Sequence, residues 1–527
     1  MAAPDPTKTS AEDPERSVVE PPKHLFGILR HLGPGLIIAG GIVGSGELIA
    51  TTKTGAEAGF WLLWLIVIGC VIKVFVQVEL GRYSVISGKG TLTALSEVPG
   101  PRIHRRGNWI VWYWFLMFIA IQGQAGGIVG SVGQSLAISL PLTEDGQRFN
   151  QIVSSETQLQ LKHATLKRLN GHNLGTREPP EVRTQLTAEI AELRTQIESY
   201  GDKPETIYDD RLWAAALAVI TSILLGIGRY GLIQAFATTL VLSFTLVTVG
   251  NVIALQGQPD WAVSGAEIAR GLSFQLPPAT KDLAPLATAL ATFGIIGVGA
   301  SELVGYPYWC LEKGYARFVG PRDESSDWAE RARGWMRVMR FDAWAAMVLY
   351  TFATIAFYLL GAAVLHRSGL NPAGPDMIRT LAVMYEPVFG VVAESMFLFG
   401  AFAVLYSTYF VGAASHSRVL ADSLRVLHVV PKDDASYRRW VRRFSMLLPF
   451  VALSAYLFYP RPAVLVLISG VMQAMMLPML AVAALYFRHR RGDPRLKTTT
   501  LWDTLLWISA IGMVIAGLWA AWERIRP

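Results

Sequence analysis

Long apolar runs dominate this 527-residue sequence. A transmembrane α-helix needs roughly twenty mostly apolar residues to cross about 30 Å of hydrocarbon. Apolar residues make up 52% of the chain and charged residues only 17%, whereas about a quarter of an ordinary soluble domain is charged. We therefore predict an all-α integral membrane protein with about eleven transmembrane helices, at roughly 33–56, 60–86, 109–139, 210–227, 230–255, 285–312, 335–365, 380–415, 443–459, 462–487 and 499–522.

The distribution of basic residues predicts the topology. The chain has 47 basic and 40 acidic residues, and the basic ones lie between apolar runs, which argues against a nucleic-acid partner. Short cytoplasmic loops are rich in Lys and Arg, so we predict a cytoplasmic N-terminus and an outer C-terminus in the inner (cell) membrane of a bacterium. The basic residues of the predicted inner segments include Arg82, Lys89, Arg102, Arg317, Arg331, Arg333, Arg337, Arg340, Arg438, Arg439, Arg442, Arg443, Arg488, Arg490, Arg491, Arg495 and Lys497.

Two polar segments stand apart from the apolar runs. Residues 1–24 are rich in Pro and acidic side chains and predict a disordered cytoplasmic tail, which leaves 25–527 as the transmembrane domain. Residues 142–208 have apolar residues at helical spacing, including Leu186, Ile190 and Leu193, with a predicted turn from Gly171 to Pro180. They predict a helical hairpin inserted in an outer loop, either a docking or lid element or a solvated insertion without a role.

One short motif occurs in two of the predicted helices. Gly44-Ser45-Gly46-Glu47-Leu48 and Gly299-Ala300-Ser301-Glu302-Leu303 both place glycines and a carboxylate near the middle of the bilayer. Many secondary transporters consist of two inverted repeats whose glycine-interrupted helices meet at the midplane. We predict a five-plus-five inverted repeat, with repeat one at about 33–255, repeat two at about 285–487 and an extra helix at about 499–522.

The two carboxylates of this motif predict a cation site. A carboxylate in hydrocarbon is costly, so Glu47 and Glu302 are expected to converge on a cavity or a cation. Carboxylates and freed backbone carbonyls are hard oxygen ligands, which suit Mg²⁺, Ca²⁺ or Mn²⁺. Alternatively, each Glu binds loose backbone amides and stabilises the helix break. The predicted metal or substrate site comprises Glu47, Glu302, Gly44, Ser45, Gly299 and Ser301.

At these residues the sequence resembles the Nramp family of divalent-metal transporters, within the amino acid/polyamine/organocation superfamily. The resemblance covers the membrane core but not the tail or the insertion, and it implies a leucine-transporter-type fold with one helix added. It is carried by Gly33-Pro34, Gly46, Gly55-Ala56, Gly59-Phe60, Leu62-Leu63-Trp64, Ile296-Gly297, Tyr306, Arg438-Arg439, Arg443, Pro449, Ser469 and Leu477-Pro478.

The sequence departs from the family where the metal would bind. The family's Asp-Pro-Gly-Asn is here Gly44-Ser45-Gly46-Glu47, and its Met-Pro-His is Ser301-Glu302-Leu303. A glutamine expected in the tenth span is Gly470, and the third span has glutamines where the family has carboxylates. Without the soft Met ligand, a hard ion such as Mg²⁺ or Mn²⁺ is favoured over strict transition-metal selection. Without these titratable groups, passive or weakly coupled transport is favoured over proton symport.

Other polar residues are candidates for the permeation pathway. Each candidate also has an alternative role. For the Gln, Ser and Thr side chains it is hydrogen bonding between helices. For the Tyr it is packing, and for the Arg it is anchoring at the membrane boundary. The candidates are Gln122, Gln124, Tyr306, Ser407, Thr408, Gln473 and Arg443.

The predicted function is secondary transport of a divalent metal cation by alternating access. The alternatives are an amino-acid or organic-cation carrier of the same superfamily, and a non-transporting membrane receptor or scaffold. No nucleophile–base pair, phosphate loop or cofactor motif is found, so we predict no enzyme activity and no cofactor, with the metal as substrate. The expected partners are the lipid bilayer and the metal ion, and the sequence does not predict an oligomeric state.

Overall fold

The protein consists almost entirely of membrane-length helices. The structure, a computed structural model, describes residues 18–103, 106–171, 180–227, 230–278, 284–373 and 376–525. Within these residues, eleven helices are long and apolar enough to cross a membrane, which confirms the predicted number. They are span 1 (Pro34–Ile42, Ser45–Thr51 and Thr52–Ala58), span 2 (Leu63–Val71 and Lys73–Ser87), span 3 (Trp109–Ser139), span 4 (Asp209–Ile227), span 5 (Tyr230–Leu255), span 6 (Pro285–Ile295 and Ala300–Lys313), span 7 (Ser326–Leu360 and Gly361–His366), span 8 (Ala393–Val426), span 9 (Asp434–Phe458), span 10 (Pro462–Arg490) and span 11 (Thr500–Ile525).

Short elements connect the spans. A two-stranded antiparallel sheet precedes span 3, with strands Arg102–Ile103 and Arg106–Asn108. The connecting helices are Leu25–His31, Thr91–Leu95, Gly265–Gly271, Tyr315–Val319, Met377–Ala382, Val383–Tyr385, Glu386–Phe389, Gly390–Val392 and Pro494–Leu496.

Spans 1 and 6 are the most buried helices of the bundle. In the most apolar 18-residue stretch of each helix, 89% of the residues of span 1 and 83% of those of span 6 are buried, against 28% for span 9. Each begins with a proline, Pro34 or Pro285, at its first turn, where the missing N–H costs no hydrogen bond. Because both helices lie inside the bundle, polar groups at their breaks must find partners in the protein rather than in lipid.

Both central helices are interrupted where the sequence places glycines. Span 1 loses regular geometry at Val43 and Gly44 and resumes as a π-helical stretch from Ser45 to Thr51. In span 6 the first half ends at Ile295 and the second begins at Ala300, and Gly297 between them has a φ of +55°. A positive φ is accessible to glycine at little cost, so this residue permits the break.

Two span boundaries differ from the predicted ones. Span 7 begins at Ser326, about two turns before 335, because Trp328 and Trp335 on its first turns are buried against the protein. Span 8 begins at Ala393 rather than at 380. The chain before it is divided into short turns that include Pro387 and Gly390, the latter with a φ of +53°.

The insertion contains two helices, Glu144–Gly171 and Pro180–Ser199, which pack against each other. The predicted turn between them lies largely outside the described residues. Lys162 bonds Glu189 across the hairpin at 2.6 Å. At its base, Arg379 donates to the backbone carbonyl of Asn150 at 2.5 Å. The hairpin is therefore attached to the membrane domain through the segment that precedes span 8.

The predicted tail boundary at residue 24 is too late. Residues 1–17 lie outside the described residues, but Val19 is fixed by two hydrogen bonds. Its N–H donates to the Phe318 carbonyl at 3.1 Å, and its carbonyl accepts from Trp335 Nε1 at 2.8 Å. Backbone groups that are paired in this way form an ordered segment, so 18–24 belong to the folded domain.

Candidate functional site

The breaks of spans 1 and 6 touch each other. A Cβ added at Gly46 would lie 3.1 Å from the carbonyl oxygen of Ile295. One residue further along span 1, Glu47 Oε1 accepts a hydrogen bond from the Gly297 N–H at 3.2 Å. The carboxylate of one repeat therefore binds a backbone amide that the helix break of the other repeat has freed.

Glu47 is fully buried but only half satisfied. Its Oε1 also lies 3.2 Å from Thr354 Oγ1 in span 7, and the same hydroxyl lies 2.7 Å from the Tyr350 carbonyl. A hydroxyl has one proton and serves one of these acceptors at a time. Within the described residues, no hydrogen-bond partner reaches Glu47 Oε2. A buried carboxylate oxygen without a partner is costly, so this oxygen is suited to a proton or a cation.

Lys73 in span 2 supplies a positive charge that the sequence analysis did not assign to the site. The residue is fully buried. Its ammonium donates to the carbonyls of Phe293 and Ile296, both at 2.6 Å, at the end of the first half of span 6. Lys73 also interacts electrostatically with both Glu47 and Glu302. With all three groups ionised, the site retains one net negative charge.

Lys73 does not form an ion pair with Glu79, the acid six residues further along span 2. Glu79 instead binds Arg82 at 2.7 Å and accepts from Trp502 Nε1 at 2.8 Å, two turns nearer the end of span 2. A single lysine in the apolar middle of span 2 was the signal for a functional role, because ionisable residues inside membrane helices are rare unless paired.

Glu302 lies at the N-terminus of the second half of span 6. A Cβ added at Gly299 would lie 2.5 Å from Glu302 Oε2 and 3.1 Å from Gln473 Oε1, so only a glycine leaves room for both groups. The Ser301 N–H donates to Gln473 Oε1 at 3.0 Å. Glu302 therefore lies beside the start of its own helix, and it interacts with Lys73 electrostatically rather than through a direct ion pair.

A chain of amides and hydroxyls joins the two breaks through spans 3 and 10. Gln124 Nε2 donates to Ser45 Oγ at 3.0 Å, and Gln124 Oε1 accepts from Gln473 Nε2 and from Ser469 Oγ, both at 2.8 Å. Gln473 then continues to Ser301. Gln124 and Gln473 thus bind the predicted site residues, whereas Gly470 packs closely against the backbone of Ala291.

Span 8 contacts the other side of the span 1 break. Ser407 Oγ donates at 3.0 Å to the Gly40 carbonyl, which the break leaves without an intrahelical partner. Thr408 Oγ1 lies so close to Gly44 that a Cβ there would overlap it. Both residues stabilise the interrupted helix, and Gly44 is required for this close approach.

Three candidate pathway residues do not join this network. Gln122 is buried, and its Nε2 finds no partner within the described residues. Tyr306 Oη instead points to span 7, where it lies 3.3 Å from the Met339 carbonyl and 3.5 Å from Asp342 Oδ2. Arg443 is exposed on span 9 with its guanidinium over the Trp440 ring, which matches the anchor alternative.

Asp342 is a buried acid that the sequence analysis missed. Its two carboxylate oxygens accept from the N–H groups of Gly33 at 2.9 Å and Gly35 at 2.5 Å, at the start of span 1. Charged acceptors at a helix N-terminus are favourable. As the one acid within the apolar part of span 7, it was visible in the sequence as an intramembrane carboxylate.

The side-chain and backbone atoms near the breaks that could bind an ion are oxygen atoms. Among the described residues, no three His, Cys, Asp or Glu side chains lie close enough together to hold a metal ion by themselves. The donors near the breaks are two carboxylates, the amide oxygens of Gln124 and Gln473, and the carbonyls bound by Lys73. Such a set suits hard cations and ammonium groups rather than thiolate-binding metals.

A family model described as natural resistance-associated macrophage protein-like, or Nramp, matches residues 208–523. That is more than half of the chain. The chain belongs to the Nramp family. Members of this family are transporters, not enzymes. The matched part of this Nramp protein contains Glu302 and Gln473 but not Glu47 or Lys73.

Solved structures confirm the predicted fold class. A mutant of the manganese transporter of Eremococcus coleocola is 15% identical, with a TM-score of 0.58 over 95% of this chain and 88% of that chain. The same transporter in complex with an aromatic bis-isothiourea compound has a TM-score of 0.57, with the same identity and coverage. At this identity the likeness shows the fold alone, the leucine-transporter type. No curated protein matches the Nramp chain.

Proposed function

We propose that this Nramp protein is a secondary transporter that moves a divalent metal cation across the membrane by alternating access. The observation that carries the proposal is the unsatisfied Glu47 Oε2, buried where the two broken helices touch. Glu302 and the amide oxygens of Gln124 and Gln473 supply further oxygen donors. The metal is the cargo, and no resident cofactor is proposed.

The net negative charge of the site favours a cation, and its oxygen donors favour a hard one. With Lys73 and both carboxylates ionised, the site has one net negative charge, which attracts a cation. The Lys73 ammonium repels an incoming ion of charge +2 and so weakens its binding. Mg²⁺ or Mn²⁺ fits the oxygen donors. The part of the third span nearest the site offers Gln122 and Gln124 rather than acids, which supports passive or weakly coupled movement over proton symport.

The contacts of span 1 support alternating access. Asp342 connects the inner end of span 1 to span 7, whereas Ser407 and Gln124 connect its break to spans 8 and 3. We propose that spans 1, 2, 6 and 7 rock against the rest. The contacts of Ser407 and Gln124 with span 1 would then break and re-form, whereas the contact of Asp342 would be kept. In this proposal the N-terminus is cytoplasmic, the C-terminus is outside, and the hairpin is on the outer side of a bacterial inner membrane.

A solute with a primary ammonium is the second candidate. The carbonyls of Phe293 and Ile296 already bind the Lys73 ammonium at 2.6 Å, so freed carbonyls at this break accommodate such a group. An amino acid or polyamine carries the same group. Family membership favours the metal, and this one contact favours the organic cation.

Uptake into proteoliposomes tests the proposal. We expect wild-type protein to take up Mn²⁺ or Mg²⁺, and Glu47→Gln and Glu302→Gln each to reduce uptake more than tenfold while the melting temperature is retained. Glu192→Gln, on the exposed face of the hairpin, is the matched control and should transport normally. Normal metal uptake by both site variants would refute the site. Uptake of a polyamine or amino acid, with no metal uptake by wild-type protein, would instead support the second candidate.

A further inference from the structure

A basic cavity lies between the end of span 2 and the starts of spans 7 and 11, away from the two helix breaks, on the side that the proposed orientation makes cytoplasmic. Its volume is about 440 Å³, which is within the usual range for small-molecule sites. Among its thirteen lining residues, five are basic and one is acidic, Glu79. The basic residues are Arg82, Arg333, Arg337, Arg340 and Lys497.

One of these basic side chains is buried without full pairing. Arg82 is 4% exposed, and its Nε donates to Glu79 Oε2 at 2.7 Å. Its Nη2 is buried, and no acceptor among the described residues reaches it. A buried guanidinium N–H without an acceptor is costly. Because Arg82 lines the cavity, an anion bound there would supply the missing acceptor.

Among the described residues, no carboxylate forms an ion pair with Arg333, Arg337 or Arg340. Arg337 and Arg340 are close enough to repel each other, and Arg340 shares the single acid, Glu79, with Arg82. Arg333 Nε donates to a backbone carbonyl of its own helix, that of Ala329. Clustered cations without matching acids bind anions, and guanidinium groups bind phosphate in a two-point geometry.

Exposed apolar residues form a stripe along spans 7 and 11 next to the cavity. Arg337 shares a helical face with Phe341, Val348 and Phe352, which are 38%, 49% and 60% exposed. On span 11, residues at seven-residue spacing beginning with Leu501 are exposed along one face: Leu501, Ile508, Ile515 and Trp522. Exposed apolar stripes on membrane spans face acyl chains, so an anion in the cavity has hydrocarbon directly beside it.

We propose that this cavity binds the phosphate headgroup of an anionic lipid of the inner leaflet, whose acyl chains lie along spans 7 and 11. Basic pockets between helices on the cytoplasmic side of membrane proteins bind such headgroups. Free phosphate offers the same anion chemistry but makes no use of the apolar stripes. The bound lipid would join span 2 and span 7, which belong to the moving group, to the extra helix.

Lipid titration of the full-length protein in detergent tests this site. The probes are dioleoyl phosphatidylglycerol, dioleoyl phosphatidylcholine and inorganic phosphate, with binding followed by native mass spectrometry. We expect phosphatidylglycerol to bind wild-type protein more tightly than phosphatidylcholine. Each arginine removed should weaken phosphatidylglycerol binding about fivefold, so Arg337→Gln/Arg340→Gln should weaken it about 25-fold.

The matched control is Arg439→Gln/Arg490→Gln, which removes the same charge from two exposed arginines on the same side but outside the cavity. It should bind phosphatidylglycerol as wild-type protein does. Lys497→Gln provides a milder cavity variant, with an expected loss of about fivefold. Equal binding by the cavity and control variants would overturn the site. Inorganic phosphate that binds as tightly as phosphatidylglycerol, and competes with it, would overturn the lipid assignment.

Discussion

Lys73 and Glu47 lie on opposite sides of the same helix break. Lys73 binds the last carbonyls of the first half of span 6, and Glu47 binds the amide of Gly297 in the gap that follows. The interrupted helix is thus held by a cation at its C-terminal end and by an anion at the freed amide, as the helix dipole requires. An ion bound at Oε2 of Glu47 would be repelled by the nearby Lys73 ammonium.

Replacing Lys73 should therefore have opposite effects on stability and on ion binding. Lys73→Met leaves two buried carbonyls without their donor, which should cost about 1–3 kcal/mol of stability. It also removes a like charge, so Mn²⁺ or Mg²⁺ should bind at least about tenfold more tightly. Calorimetric titration and thermal unfolding measure the two effects. Lys203→Met on the hairpin should change neither, and unchanged metal affinity in Lys73→Met would contradict the role assigned to the ammonium.

Asp342 should control access from the inner side. Asp342→Asn removes the anionic acceptor for the N–H groups of Gly33 and Gly35, so the inner end of span 1 should separate more often from span 7. Cys310 is fully buried in the second half of span 6, and its alkylation by a maleimide reports the opening. We expect several-fold faster alkylation in Asp342→Asn. Asp327→Asn, exposed on the same helix, is the control, and equal rates in the two variants would argue against this contact as a gate.

Gly297→Ala should disrupt the break in span 6. The position has a φ of +55°, and an added Cβ would lie 2.9 Å from the Cα of Cys70. Strain of this kind costs about 1–3 kcal/mol, and uptake should fall with it. In Gly412→Ala, the new Cβ has its nearest contact 3.9 Å away at His416, so this variant should be neutral or up to about 1 kcal/mol more stable. A Gly297→Ala protein as stable as Gly412→Ala would contradict the requirement for glycine.

The loop between spans 10 and 11 should show a pH-dependent contribution to stability. A hydrogen bond from Arg495 lowers the pKa of Asp493 below its usual value. A carboxylate with a lowered folded-state pKa stabilises the protein at pH values above its unfolded pKa, and this contribution is lost as the pH falls through the folded pKa. Asp493→Asn should therefore melt a few degrees lower at pH 7, with a difference that shrinks toward pH 3. A difference that is the same at both pH values would exclude ionisation as its cause.

The sequence predicts the parts of the site that are local. The glycines Gly44 and Gly299 and the carboxylates Glu47 and Glu302 are visible as a repeated string, and apolar run length predicts the spans. The partners of these groups come from distant helices. Nothing local indicates that Lys73 reaches span 6, or that Gln124 and Gln473 meet, because those contacts depend on how the spans pack. Helix ends buried by tertiary contacts, such as the start of span 7, are missed for the same reason.

The ordered backbone around Val19 links the N-terminus to two helices of the proposed moving group. Its two hydrogen bonds reach the segment after span 6 and the first turns of span 7. A fluorophore attached just before residue 18 would thus travel with the inner ends of these helices. Energy transfer from that position to a label on span 9 would follow the transport cycle in real time without altering any buried residue.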